Sequence, residues 1–303
     1  MTDPTELTLQ DGRWAAVVST HGASLRGVTC DGKTVVTGYR GADAKQGGQG
    51  DVLIPFPGRV RNGRYEWDGV EHQLPLTDKD GPNAIHGFVR KMDWTLASRT
   101  ASSAAFELHF EGAAGYAFPL ALGVEYSLHD THGLQVTTTI TNSGAAAAPV
   151  GVGFHPYFTV GSATIDADRL QLPFAAVMEF ESLLPTGRTI AVEQAGLDFR
   201  TPRTVGTTRI NHCFTAPVRG DDGRVVARLH GASRVVSVWL DEGFDYAVVY
   251  TGDALASGVA RTSIAIEPMS CGTDALNHHE WGLTRLPSGE TRVYRWGVSV
   301  AGA

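Results

Sequence analysis

The chain has 303 residues, 42% of them hydrophobic and 19% charged, the composition of a globular protein long enough to bury a sizeable core. Its net charge of -7 is spread along the sequence rather than gathered in a tail, so its surface repels nucleic acid and anionic membrane, and neither is expected as a partner. Cys30, Cys213 and Cys271 are an odd count with no close spacing, which gives neither a disulfide framework nor a zinc knuckle.

The first residues, MTDPTELTLQDGRW, lack the basic and apolar regions of a secretory signal. The longest apolar stretch, 144–158, is too short and too glycine-rich to span a bilayer. The expectation is a soluble, cytoplasmic protein.

Further along the chain, apolar residues recur mainly with a period of two. ELHFEG, GVEYSLHD, GLQVTTTITNSG, RVVSVWLDEG, YAVVYTGD, TSIAIEP and ETRVYRWGVSV read as strands, rich in Val, Ile, Thr, Tyr and Trp. Turn residues punctuate them in DGK, DGV, TNSG, GDDGR and PSGE. DADRLQL and DALNHHEWGL offer at most a turn or two of helix each. Many strands at short, turn-bounded spacing predict a mainly β fold, an antiparallel sandwich or barrel. No linker, repeat or charge block divides the sequence, so 1–303 is expected to form a single domain.

The dinucleotide-binding pattern GxGxxG and the α/β-hydrolase nucleophile pattern GxSxG are missing from the sequence. His278, His279 and Glu280 stand together, but adjacent strand residues point to opposite faces and the HExxH spacing is not met; a solvated loop is the expectation.

Four segments carry chemistry. In LIPFPGRVRNGRYEWDG, two prolines and a glycine give a rigid, irregular approach to Arg59. In NAIHGFVRKMDW, His86 adjoins a glycine that permits close backbone approach. In VGVGFHPYF, His155 ends an apolar run, and Pro156 stops ladder hydrogen bonding there, so the strand ends or bulges and the ring can be aimed into a cleft. In SIAIEPMSCGTDALN, Glu267 closes an apolar strand, where a carboxyl is uncommon unless paired or functional. Two imidazoles, one carboxylate and one guanidinium, all at irregular strand ends and with no nucleophile among them, suit paired acid and base work on a neutral polyol.

In order along the chain, PFPGRVRNGRYEWDG, NAIHGFVRKMDW, GFHPYF, VWLDEGFDYAVVYTGD and AIEPMSCGTDALN resemble the aldose 1-epimerase (mutarotase) family, in its bacterial mutarotase-like branch. The resemblance implies a large galactose mutarotase-like β-sandwich with a sugar in an open cleft, no metal and no other cofactor. It matches His155 to the general acid and Glu267 to the general base, with His86 and Arg59 as sugar-binding groups. Where the family has an aspartate in its sugar-contacting segment, INHCF has Asn211, which accepts and donates hydrogen bonds but carries no charge. Tyr157, Phe158 and Trp239 are candidates for stacking on a pyranose. The implied reaction interconverts α and β anomers of a hexose. Alternatives within the fold are a hexose-6-phosphate epimerase, in which Arg90 and Lys91 contribute to a phosphate cradle, and a mutarotase for a sulfonated or uronic sugar. A non-catalytic carbohydrate-binding module is the alternative of another class.

Overall fold

The computed structural model describes residues 5–39 and 45–302. The period-two segments become strands that pair antiparallel and assemble into two large sheets. The first sheet has twelve strands. Its path runs from Glu6–Asp11 through Trp14–Ser19, Leu25–Cys30, Lys33–Val36, Tyr157–Phe158, Ile264–Met269, Tyr246–Tyr250, Asn211–Pro217 and Phe174–Glu181 to Leu184–Ala191, with Val52–Leu53 and Gly153–Phe154 attached beside Ile264–Met269. The second has nine, and the long strands Ser103–Phe110, Leu120–His129, Gly133–Asn142, Thr291–Gly302 and Arg234–Leu240 lie next to one another within it.

Alternation along each strand decides what goes inside. In Tyr246–Tyr250, Ala247 and Val249 enter the core between the sheets, and Val248 and Tyr250 take the opposite face. In Arg234–Leu240, Val236, Val238 and Leu240 are buried between the sheets, and Val235, Ser237 and Trp239 point away. The shared core is closed by large aromatic groups from both layers: the Phe154 and Trp296 rings stand 5.3 Å apart. Fully burying an apolar side chain of this class contributes about 1.5–3 kcal/mol. A second, smaller apolar cluster of Met178, Cys213, Tyr246, Met269, Cys271, Ala275 and Trp281 lies on the other face of the twelve-stranded sheet, and that is the face on which the polar site is built.

No α-helix occurs among the described residues. Of the two windows that suggest a helical turn, DADRLQL supplies one 3-10 turn, Ile165–Ala167, and passes at once into the strand Arg169–Gln171, where the alternation that buries Leu170 prevails. DALNHHEWGL remains a chain of turns. Its i→i+3 hydrogen bonds, from Asn277 to Asp274, His278 to Ala275 and Trp281 to His278, do not propagate, and Gly282 at φ +78 ends the run.

Candidate active site

The ladder is interrupted where the sequence places a proline. Gly153–Phe154 and Tyr157–Phe158 both pair with Ile264–Met269, Gly153 opposite Met269 and Tyr157 opposite Ala265. Between them His155 and Pro156 are not paired with that strand, but the register on either side (153 with 269, 157 with 265) sets His155 across from Glu267. Directly opposed residues on neighbouring strands have Cβ atoms about 5 Å apart, close enough for their side chains to meet. They do: His155 Nε2 lies 3.3 Å from Glu267 Oε1. Both residues are buried, at 6% and 2% exposure, and that depth governs their ionisation.

Burial pushes Glu267 well above the usual carboxylate range, an effect that Arg59 only partly opposes. Burial, then the charges of Lys45 and Arg90, push His155 down to about 3. The two groups therefore favour a state in which they hold one proton between them, with neither forced to ionise alone. Glu267 Oε2, His155 Nδ1 and the Tyr157 hydroxyl have no hydrogen-bond partner among the described residues. Unpaired buried polar atoms of this kind are the features that a polyhydroxylated ligand would satisfy.

His86 faces this pair, its ring centroid 5.6 Å from that of His155 and edge-on to it. Its backbone is left-handed at φ 63, followed by Gly87 at the same φ, and a Cβ on Gly87 would meet the Ile54 carbonyl at 2.0 Å. The glycine after His86 is thus required by close backbone approach. The Gly58 amide donates to His86 Nδ1 at 3.2 Å, which leaves the proton of the neutral ring on Nε2. Burial and the neighbouring cations hold this imidazole well below its usual range, so it is a neutral donor.

Arg59 pairs with Ile85, the residue before His86, and its Nε donates to Asp78 at 2.8 Å. Burial alone would raise the Asp78 carboxyl, but hydrogen bonds from Arg59, Asn83 and the Asp80 amide outweigh it and hold the group below its ordinary value. Asp78 thereby orients the guanidinium that acts on Glu267.

Asn211 and Tyr157 belong to one cross-strand row, Tyr157–Ala265–Tyr250–Asn211, on the same face as Glu267. Tyr157 stacks on His155 with centroids 5.1 Å apart, and Asn211 is exposed at the far end of the row. Trp239 does not join them. It sits on the outer face of the nine-stranded sheet, under the Arg224 guanidinium at 4.2 Å and against Gly297, with the whole core between it and Glu267. Phe158 also leaves the set, since alternation turns it from Tyr157 into the inter-sheet core. Trp239→Ala is expected to leave sugar turnover within about twofold of the unmodified protein, the scale of an ordinary surface substitution, as measured by polarimetry.

His278 stacks on Trp281 at 3.8 Å and contacts Glu280 at 3.4 Å, and His279 packs on Trp67, so the HHE triplet is spent on local packing. Sequence reasoning missed Lys45, Gly48 and Asp51. Asp51 lies on the other side of His155 in the strand order, and its fully buried carboxylate binds both Lys45 and Arg90. The arginine proposed for a phosphate cradle is therefore already engaged. Only the run of glycines in KQGGQGD hinted at close approach here.

The model of the aldose 1-epimerase family matches residues 5–299. The chain belongs to the aldose 1-epimerase family. It is 32% identical over 271 residues to YihR, an uncharacterised protein of Escherichia coli K12, covering 89% of this chain and 85% of that one. It is 27% identical over 240 residues to the galactose mutarotase of Sus scrofa, covering 74% and 68%. Its fold matches that of an aldose epimerase homologue from C. elegans with a TM-score of 0.87 over 98% of this chain and 99% of the other, at 17% identity. A galactose 1-epimerase from Lactobacillus acidophilus matches with a TM-score of 0.83 at 20% identity, over 98% and 94%. The mainly β galactose mutarotase-like fold and a family that acts on sugars as isomerases are thus established for this chain; the sugar is not specified by them.

Proposed function

We propose that the protein is a mutarotase that interconverts the α and β anomers of a hexose, with His155 as acid and Glu267 as base. The observation that carries this reading is the 3.3 Å contact between the buried His155 and Glu267 side chains. The ring oxygen O5 and the anomeric oxygen O1 are bonded to the same carbon, so groups that serve them must themselves be neighbours.

Ring opening starts with the shared proton on His155: the ionised Glu267 takes the proton of the O1 hydroxyl while the C1–O5 bond breaks. The bonding pair of that bond goes to O5, which receives a proton from His155, and C1 becomes the aldehyde carbon. The open form therefore leaves the proton on Glu267 and a neutral His155, the arrangement that burial favours in the free pair. Rotation about C1–C2 presents the other face. O5 then attacks C1, His155 recovers the O5 proton and Glu267 returns its proton to O1. His86, with its Nε2 proton, and Arg59 donate hydrogen bonds that hold the sugar in place. Each positioned proton transfer is worth about 10²–10⁴ in rate.

The pH profile follows from the shared proton. A second proton must go to His155, whose lowered value of about 3 delays this to well below the histidine range. Loss of the only proton must come from Glu267, whose raised value delays this above the carboxylate range. Turnover by polarimetry should accordingly stay flat between about pH 5 and 7. An acid limb near the ordinary histidine value of about 6.5 would contradict the shared-proton state.

A second reading is favoured by the charge beside His155. Lys45 and Arg90 share the single carboxylate of Asp51, leaving one positive charge in excess at the end of the site that serves O5. C6 of a hexose hangs from the carbon that bears O5, so this end suits an anionic C6 group such as a carboxylate or sulfonate. Exchange rates on glucose, galactose, glucuronate and a 6-sulfonated hexose decide between the two. Comparable or faster rates on the neutral sugars support the first reading, and a preference of about tenfold or more for the anions supports the second.

A further inference from the structure

We infer that Asp51 is a positioning residue for the acid–base pair, acting through Lys45 and Arg90 rather than on the sugar; this rests on the assignment of His155 and Glu267 above. The strand pairing that puts Gly153 opposite Leu53 and Phe154 opposite Val52 continues to set His155 opposite Asp51. Asp51, His155 and Glu267 therefore form one lateral row across three neighbouring chain segments. Backbone bonds lock the first two, from His155 N–H to the Asp51 carbonyl and from Gly50 N–H to the His155 carbonyl, both at 3.0 Å.

The segment 45–51 also presses on the ring itself. A Cβ on Gly48 would lie 2.3 Å from His155 Cδ2, and one on Gly47 would lie 2.8 Å from the Tyr157 hydroxyl. Only glycine allows the backbone to rest there, against the ring that Tyr157 stacks on. The carboxylate then reaches in two directions, to Lys45 on its own segment and to Arg90 at 3.2 Å on the Val89–Lys91 turn just past His86. One buried anion thereby ties the His155 segment to the His86 segment.

The charges facing His155 and His86 are Lys45, Arg90 and Arg59 on the positive side and Asp51 and Glu267 on the acidic side, with Asp78 behind Arg59 and the neutral Tyr157 phenol alongside. Asp51 cancels one of the two cations at its end. Without it, both Lys45 and Arg90 would oppose the imidazolium through which the acid must pass. The protonated His155 that must serve O5 would then form less often, while the sugar's own contacts would be unchanged.

The test uses the full chain and a neutral aldose, with kcat, KM and the pH profile read for Asp51→Asn, Lys45→Met and the double variant. Asp51→Asn should lower kcat about tenfold, the effect of roughly one unit on an acid's proton affinity, with KM changed by less than about threefold. The double variant removes one anion and one cation, restores the original charge and should recover most of that loss. Lys45→Met alone should move the acid limb to higher pH. A double variant no better than Asp51→Asn, or an Asp51→Asn enzyme with unaltered kcat and pH profile, overturns the inference. Should Asp51→Asn fail to fold, Lys45→Met decides: an upward move of the acid limb supports the role, and an unmoved limb overturns it. Activity that survives His155→Asn would instead remove the acid assignment itself, an outcome distinct from all of these.

Discussion

Glu267→Gln should slow anomer interconversion by about 10²–10⁴ while the protein stays folded. Glutamine has the shape of glutamic acid and still meets His155, but its amide can neither take the O1 proton nor give it back. Burial already drives Glu267 toward its uncharged form, so a neutral isostere relieves rather than adds desolvation cost. The melting temperature should stay within about 3 °C of the unmodified protein, the shift that about 1 kcal/mol produces in a chain of this size. KM should change little, because hydrogen bonds from His86 and Arg59 remain. A variant that turned over at near-normal rate would remove Glu267 from the proton transfers.

His155→Asn is expected to cost a similar factor in rate, again about 10²–10⁴, but with a different accompanying signature. Asparagine keeps a polar group opposite Glu267 and satisfies the backbone bonds to Gly50 and Asp51 as before. It supplies no group that can be protonated for O5. The shorter side chain also leaves Tyr157 without its stacking partner and the glycine segment 47–48 without the ring it rests on, so some stability is lost, about 1–3 kcal/mol. Glu267 would then titrate alone, without the imidazole beside it. The residual rate should therefore lose the flat profile between about pH 5 and 7 and follow the ionisation of a single carboxyl. Rate by polarimetry across pH, with a melting curve, separates the two effects: a destabilised variant of normal rate would leave His155 a structural role only.

Much of this arrangement is legible in the sequence because it depends on local rules. The alternation in VVSVWL and YAVVY gives strands, and Pro156 after His155 announces the break in the ladder that the structure shows. A glutamate closing IAI stands out because carboxyls rarely end buried strands. Which strand faces which is not a local property. The opposition of His155 to Glu267 and to Asp51 arises from pairing between distant segments, so Asp51 and Lys45 carried no signal beyond a glycine-rich stretch. Trp239 shows the same limit from the other side. Alternation puts it outside the core correctly, but each sheet has an outer face, and only the packing of the two sheets reveals that Trp239 lies on the one away from the site. The helical windows near 166–172 and 274–283 stay at isolated turns because strand alternation at Leu170 and a left-handed glycine at 282 stop propagation.

In the proposed mechanism one shared proton between His155 and Glu267 moves across the two oxygens of the anomeric carbon. Exchange spectroscopy by NMR on an anomerically equilibrated hexose tests it most directly, since the sugar alone, with no coupling enzyme, reports the reaction. The α/β exchange cross-peaks should grow with the concentration of the unmodified protein and fall to the uncatalysed level with Glu267→Gln at equal concentration. Saturable binding of the sugar by the unmodified protein, with exchange no faster than in buffer for neutral and anionic hexoses alike, would contradict it and leave a carbohydrate-binding module in its place.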